Sequence, residues 1–187
     1  MITYYDSANQ ISSYKMGLDL SSLINAKMKR DNQLIILCIG SDRSTGDSLG
    51  PLIGHKLSRY NLNNVFIYGT LQEPVHASNI QHTIDAIYDN FDEPFIVAID
   101  ASLGTRNHVG YYTLGQGPLI PGLGVNRTLP AIGDIHITGI VNYSGLFDGM
   151  LLQTTRLSSV MTLADTISTG IIIGIRHCIH ATIENYA

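Results

Sequence analysis

Short apolar runs alternate with amphipathic stretches through the first hundred residues of the chain. The runs Leu34–Ile39, Val65–Tyr68 and Phe95–Ile99 are almost wholly apolar, as is typical of parallel strands buried on both faces. Between them, apolar residues at helical spacing predict helices over about 49–60 and 80–88. Strands that alternate with helices in this way form βαβ units. The pattern therefore predicts a three-layer α/β/α fold with a mostly parallel central sheet.

The pattern of apolar positions is less regular towards both ends of the chain. We interpret the whole chain, residues 1–187, as a single domain. Residues 1–17 are polar and predict an irregular N-terminal arm. Glycine and proline are frequent over residues 115–130, which predicts a long ordered loop. The remaining predictions are a helix over 18–28, an added strand over 108–114 that is either parallel or antiparallel, a strand over 135–141, and helices over 146–161 and 165–183.

Composition limits the partners and the cellular compartment that we expect for the protein. The net charge of −4 argues against a nucleic-acid partner, and a charged fraction of 14% predicts self-association or a large buried fraction. Cys38 and Cys178 have the context of buried thiols, which fits a reducing compartment. The N-terminus does not resemble a signal peptide, and the apolar stretch Ile167–Ile175 is too short to cross a bilayer. We therefore expect a cytoplasmic protein without a membrane partner.

Two acidic residues stand where the chain leaves buried strands. Asp47 lies in the polar loop 40–50, whose glycines permit a tight turn before a helix, and Asp100 directly follows the run Phe95–Ile99. The carboxyl ends of parallel strands meet at one edge of a sheet, where α/β folds bind ligands. We therefore expect the two carboxylates to meet. Structural alternatives are helix capping by Asp47 and a hydrogen bond that Asp100 accepts from loop amides.

Other polar residues fall near the same edge of the predicted sheet. Asp42 shares the loop with Asp47, where an Asx turn or a surface ion pair is the structural alternative. Glu73 and His76 follow the second strand, and His76 has helix capping as its alternative. Asp134 and His136 alternate with isoleucines, so both side chains should share one face of a strand. His136 is either a buried hydrogen-bonded histidine or a ligand in an Asp–Asp–His site suited to zinc or nickel.

Several common types of site are disfavoured. The loop 40–50 lacks a Gly-Lys-Ser/Thr ending and is not Gly-x-Gly-x-x-Gly, and Asp47 would repel a phosphate. Residues 46–50 (GDSLG) match Gly-x-Ser-x-Gly, the motif of many serine hydrolases, but no serine has an obvious nucleophile elbow, which disfavours a serine hydrolase. The pair Gly170 and Gly174 favours close helix packing over a membrane dimer.

Five sequence blocks, taken together, resemble the YyaC family of sporulation proteins. They span most of residues 35–160, at 40–51 (GSDRSTGDSLGP), 70–77 (TLQEPVHA), 98–104 (AIDASLG), 121–126 (PGLGVN) and 133–142 (GDIHITGIVN). That family resembles the spore germination protease and, more distantly, the hydrogenase-maturation endopeptidases, which share an α/β/α fold.

The resemblance implies roles for particular residues. The germination protease is regarded as an unusual aspartic-type peptidase with two essential aspartates, which Asp47 and Asp100 match, although Gly46 stands where that protease has proline. In the maturation endopeptidases the two acidic positions and a later histidine bind a metal in the substrate. His136 is the match to that histidine.

These observations together predict a peptidase of a sporulating cell or spore that hydrolyses peptide bonds in a protein or peptide. Asp47 and Asp100 would activate water, and His136 or His76 would assist. Asp42, Glu73, His76 and Asn126 would contact the substrate, with the loop Pro121–Asn126 forming part of the groove. The alternative is a non-catalytic sporulation protein that binds a peptide or a metal ion in the same acidic pocket.

Overall fold

The protein is built around one six-stranded sheet. The computed structural model describes residues 2–121 and 130–184, with side chains described as far as residue 178. The strand order is β1-β5-β6-β4-β2-β3, in which β3, β2, β4 and β6 run parallel and β5 and β1 add antiparallel pairings at one edge. The strands are β1 Ile2–Asp6, β2 Leu34–Cys38, β3 Val65–Tyr68, β4 Phe95–Gly104, β5 Tyr111–Gln116 and β6 Ile135–Tyr143.

Helices cover both faces of the sheet, which confirms the three-layer prediction. Helices α1, α2 and α5 contribute to a hydrophobic core on one face, and α3 forms a second core on the other. Alternate residues of β2 enter the two cores, Ile36 on the α5 side and Ile35 on the α3 side. This explains why the strand is apolar throughout. The helices are α1 Ser12–Lys27, α2 Leu49–Leu57, α3 Ile80–Asn90, α4 Asp148–Gln153 and α5 Leu157–Glu184.

The N-terminal segment is ordered, so the prediction of an irregular arm over residues 1–17 is wrong. Strand β1 pairs antiparallel with β5, and Tyr5 is buried with its ring stacked 5.3 Å from that of Tyr112. Helix α1 begins at Ser12, well before the predicted start at residue 18. Because β1 is an edge strand that buries only one side chain, its sequence lacks the apolar run by which the inner strands are recognised.

Two further boundaries differ from prediction. Strand β4 does not stop at Asp100 but continues to Gly104, because its pairing with β6 persists after β2 has ended. The break between the last two helices lies at residues 154–156 and not at 162–164. There Thr155 is buried, and its hydroxyl donates to the Leu151 carbonyl and accepts a hydrogen bond from the Asn142 amide.

Helix α5 packs closely against α1 at glycines. A β-carbon at Gly17 would lie 2.8 Å from the Gly170 carbonyl oxygen, and one at Gly174 would lie 2.8 Å from the Gly17 carbonyl oxygen. This confirms the predicted packing role of Gly170 and Gly174. By length and composition the segment Leu157–Cys178 is apolar enough to cross a membrane, with mean hydropathy 1.4. Half of it is buried inside the protein, as in a core helix. Cys38 is buried, as predicted, whereas Cys178 is half-buried, with its thiol 3.3 Å from the Ser21 hydroxyl.

Candidate active site

A cavity of about 470 Å³ lies at the carboxyl edge of β2 and β4, and we call it the acidic cavity. Asp47, Asp100 and Asp148 contribute carboxyl groups to its wall, and His76 contributes an imidazole. The two aspartates singled out from sequence therefore line one cavity, as predicted. The other described residues of its lining are Ile39, Gly40, Ser41, Ala77, Ala101, Ser102, Leu103, Leu119, Ile120, Pro121, Thr138, Ser144 and Leu152.

Asp47 enters the cavity from a single 3-10 turn, Gly46–Ser48, which precedes α2. Its main-chain carbonyl accepts a hydrogen bond from the Ser41 amide at 3.1 Å, which closes the loop. The capping position of α2 is Ser48, and no side chain caps the helix there, so the capping interpretation of Asp47 is wrong. Burial raises the pKa of the Asp47 carboxyl, and the nearby Ser44 hydroxyl partly opposes that shift.

Asp100 faces the cavity from within β4. The pairing of β4 with β2 ends at Ile99, so Asp100 is the first residue of the strand beyond β2, while Thr138 of β6 still pairs with it on the other side. Its Oδ1 accepts a hydrogen bond from the Ala101 amide at 2.8 Å. The carboxyl group thus makes the amide contact that was the structural alternative, and it also lines the cavity that holds Asp47.

His76 is partly buried and is held by its own loop. Its Nδ1 lies 2.9 Å from the Ser78 hydroxyl, and its main-chain amide donates to Asn79 Oδ1 at 2.7 Å. The position that caps α3 is Asn79, so His76 does not have the predicted capping alternative. Among the described residues that line the acidic cavity, His76 carries the basic side chain.

Asp148 is a cavity residue that the sequence reasoning missed. It begins α4, and its carboxyl group accepts hydrogen bonds from the Gly145 amide at 2.7 Å and from the Ser144 hydroxyl at 3.3 Å. An acidic residue before the apolar run Met150–Leu152 is a helix-start signal that would have identified it. Beside it, the side chains of Leu146 and Phe147 are exposed, at 96% and 68% of their surface. Exposed apolar side chains thus lie on the chain segment between two residues of the lining, Ser144 and Asp148.

His136 lies elsewhere, so the expected Asp47–Asp100–His136 metal site is not formed. The described residues contain no group of three or more His, Cys, Asp or Glu side chains arranged to hold a metal ion. His136 lines a neighbouring cavity, because it lies two residues before Thr138, the residue of β6 that pairs with Asp100. Its Nδ1 bonds to the Gly117 carbonyl at 2.9 Å. The donor set in the described structure does not fit a three-ligand zinc or nickel centre.

The remaining predicted residues are not among the described lining of the acidic cavity. Asp42 and Glu73 are exposed. Asp134 Oδ2 accepts a hydrogen bond from the Ile96 amide at 2.8 Å, which is a structural role. Asn126 lies outside the described residues, as does most of the loop Pro121–Asn126.

Comparison with known proteins gives the family of the chain. A family model described as "Protein of unknown function (DUF1256)" matches residues 3–170. This chain belongs to that family. A DUF1256 relative, "Uncharacterized protein YyaC" of Bacillus subtilis (strain 168), is 49% identical over 175 residues, which are 89% of this chain and 85% of the relative. The recognition of the YyaC family is confirmed, while the relation to the germination protease stays a prediction.

Two solved structures are similar to this DUF1256 chain. One is the NiFe hydrogenase maturation protease HycI from Thermococcus kodakarensis KOD1, with 16% identity, a TM-score of 0.45 and coverage of 82% of this chain and 99% of the other. The second is the Hydrogenase 3 maturation protease, with 14% identity, the same TM-score and coverage of 74% and 88%.

The DUF1256 cavity brings together groups suited to acid–base chemistry. Burial raises the pKa of the Asp47 carboxyl. Asp100 lies on β4, the strand next to β2, and one of its carboxyl oxygens accepts a hydrogen bond from a backbone amide. Paired carboxyl groups in a partly enclosed site divide into one that keeps its proton and one that ionises. Such a pair can activate water and protonate a leaving group.

Proposed function

We propose that this protein is a peptidase that hydrolyses peptide bonds with the carboxyl pair of Asp47 and Asp100. The observation that carries the proposal is that both residues line one partly enclosed cavity at the carboxyl edge of the sheet. A cavity of about 470 Å³ has the size of a small-ligand site, and its mixed acidic and apolar lining suits a short stretch of polypeptide.

The reaction needs one carboxylate and one carboxylic acid. Asp100, ionised, takes a proton from a water molecule as the water oxygen attacks the carbonyl carbon of the scissile bond. Asp47, protonated, gives its proton to the amide nitrogen as the C–N bond breaks. The products are a carboxylic acid and an amine. After the reaction Asp100 is protonated and Asp47 is ionised, and proton exchange with solvent restores the starting state.

The assignment of acid and base follows from burial. Desolvation disfavours the charged form of Asp47 and raises its pKa, so Asp47 is the member of the pair that retains a proton. His76 lines the same cavity, and its Nδ1 lies beside the Ser78 hydroxyl. We assign it an assisting role, in which its imidazole exchanges protons between the acid pair and solvent.

The setting of the reaction is part of the proposal. The YyaC resemblance implies a sporulating cell or spore, and we propose that the reaction takes place in its cytoplasm. The substrate is then a protein or peptide of that compartment, and the low charged fraction favours a homo-oligomer. No step requires a metal ion. Binding of zinc or nickel stays a proposal that comes from the family resemblance. Elemental analysis of untagged protein tests it.

The test is cleavage of peptide libraries and candidate spore proteins by purified protein, read by mass spectrometry. Asp47→Asn and Asp100→Asn should each lower the rate about 100-fold or more, since each removes a proton-transfer group. Asp42→Asn is the matched control, because it changes the same loop by the same substitution at an exposed position. It should cleave at the wild-type rate.

Two results would overturn the carboxyl-pair mechanism: unchanged cleavage by either Asp47→Asn or Asp100→Asn, or an equal loss in Asp42→Asn. Peptide binding without cleavage by the wild-type protein would support the second candidate, a non-catalytic peptide-binding protein. The exposed apolar side chains of Leu146 and Phe147 beside the acidic cavity are the observation that favours this candidate.

A further inference from the structure

A second cavity of about 490 Å³ adjoins the acidic cavity, and we call it the histidine cavity because His108 and His136 line it. The two cavities have part of their walls in common. The residues that line both are Ser102, Leu103, Leu119, Ile120 and Thr138. A polypeptide that lies in one cavity can therefore pass into the other without leaving the protein surface.

The register of the sheet fixes how the cavities are related. Asp100 of β4 pairs with Thr138 of β6, Thr138 pairs with Thr113 of β5, and Thr113 pairs with Tyr4 of β1. These four residues form a row across the strands on one face of the sheet. At about 4.8 Å per strand, the row spans roughly 14 Å, which is the length of about four extended residues. Tyr4 belongs to the histidine cavity and Asp100 to the acidic cavity.

The chemistry of the two cavities differs. The described lining of the histidine cavity contains no Asp, Glu, Lys or Arg, whereas three carboxyl groups line the acidic cavity. Ile2, Tyr4 and Ile120 are each about half exposed there, at 54%, 52% and 55%. The ring of Tyr4 lies 5.0 Å from that of His108. An aromatic side chain would bury apolar surface in this cavity, while a charged side chain would lose hydration without gaining a partner.

The orientation of His136 adds a specific hydrogen-bond acceptor. Its Nδ1 lies 2.9 Å from the carbonyl oxygen of Gly117 and, since a carbonyl only accepts, Nδ1 carries the proton. In the neutral ring, Nε2 is then an acceptor. Gly115, opposite His136 on β5, leaves room for the ring at a place where a β-carbon would collide with Nε2. The strand pairing thus holds the imidazole in one position in the wall of the cavity.

We propose that the histidine cavity binds an uncharged aromatic side chain that carries a hydrogen-bond donor, as tyrosine and tryptophan do. This side chain belongs to the peptide whose backbone occupies the acidic cavity, so the inference rests on the proposed function. Its O–H or N–H donates to His136 Nε2, and its ring packs against Tyr4 and Ile120. The row geometry places the recognised residue within about four positions of the bond that is cleaved.

The test measures binding and cleavage in the same samples. Peptides of one neutral host sequence carry Tyr, Phe, Leu or Lys at one position, which is moved along the host. Binding is measured by calorimetry, and cleavage by mass spectrometry. At the best position the wild-type protein should bind the Tyr peptide roughly three- to tenfold more tightly than the Phe peptide, as one hydrogen bond provides. The Lys peptide should bind most weakly.

Two variants assign the preference to this cavity. His136→Phe keeps a ring but removes the acceptor, so it should abolish the preference for Tyr over Phe. Tyr4→Ala, at a half-exposed position on the edge strand, should weaken binding of the Tyr and Phe peptides alike and leave the ratio of their affinities unchanged. Equal binding of Tyr and Phe peptides by the wild-type protein, tight binding of the Lys peptide, or a preference that survives in His136→Phe would overturn the inference.

The inference and the proposed function fail in different ways. Selective binding of the Tyr peptide without cleavage would overturn the peptidase and leave the subsite standing. Cleavage without selectivity at any position would overturn the subsite and leave the peptidase standing. If none of the peptides bound, the proposed subsite would be overturned.

Discussion

The α-carbon of Gly40 packs against the main-chain carbonyl of Asp47 in a space too small for a β-carbon. Gly40 also has a φ of +146°, which side chains other than that of glycine rarely adopt. The loop that carries Asp47 is therefore fixed at its start as well as by the hydrogen bond from Ser41 to Asp47. The position of the Asp47 carboxyl in the acidic cavity depends on this contact.

Gly40→Ala should displace the loop and lower peptide cleavage at least about tenfold, at a cost of roughly 1–3 kcal/mol in the free energy of unfolding. Cleavage assays and chemical denaturation measure the two effects. Gly149→Ala is the control, because a β-carbon there meets nothing within 4 Å, and it should change neither quantity appreciably. A fully active Gly40→Ala protein would show that the loop geometry does not determine the site.

Asp47→Asn should stabilise the folded protein near neutral pH while it removes activity. Since burial raises the folded-state pKa of Asp47 above its unfolded value, ionisation destabilises the fold. The penalty is absent below the unfolded pKa of about 3.9, grows as pH rises through the folded-state pKa, and is constant above it. The variant should therefore have a higher Tm than wild type near neutral pH, and an equal one near pH 3.

Thermal unfolding at the two pH values measures this difference. The exposed Asp42→Asn substitution should shift Tm little at either pH. A Tm gain for Asp47→Asn that was the same near pH 3 as near neutral pH would show that the gain does not come from the ionisation of Asp47.

The rate of cleavage should fall as pH rises through the folded-state pKa of Asp47, because the reaction needs this carboxyl in its protonated form. The pH dependence of kcat/KM for one library peptide measures this limb of the profile. A rate that rose steadily from acidic to neutral pH would instead require Asp47 to act as the base, with Asp100 as the acid.

Asp148→Ala should destabilise the protein by about 1 kcal/mol, since it removes the acceptor of the Gly145 amide and the Ser144 hydroxyl at the start of α4. Asp148→Asn retains an oxygen acceptor, so this variant should lose less stability. Denaturant titration compares the two variants. Equal losses would mean that the charge of Asp148, and not its hydrogen bonds, stabilises the turn.

The inner part of the fold and the presence of the two acids in one cavity were predictable from sequence. Runs such as Phe95–Ile99 are buried on both faces, which leaves a continuous apolar pattern, and parallel strands end at a common edge. That is sufficient to bring Asp47 and Asp100 to one cavity. The same rule did not distinguish the exposed Asp42 from Asp47, because five positions along a loop carry no periodicity that would indicate which side chain turns inward.

The parts that were wrong depend on pairing that leaves little mark in a sequence. Strand β1 buries a single side chain, Tyr5, and the second half of β4 is only partly buried, so neither has an apolar run. Whether His136 stands opposite Asp100 depends on a shift of two residue pairs between β6 and β4, since His136 pairs with Ala98. Asp148 was overlooked because a helix start at residue 146 was predicted, which places this acid inside the helix instead of at its beginning.

The order of the strands also sets the time at which the site exists. Strand β4 lies between β2 and β6, and Asp148 follows β6, so the cavity wall is assembled from segments that leave the ribosome far apart in time. A nascent chain with only β2 and β4 complete would have two of the three acids and no opposite wall. The acidic cavity is therefore complete only when synthesis is nearly finished, and the proposed hydrolysis could begin only at that point.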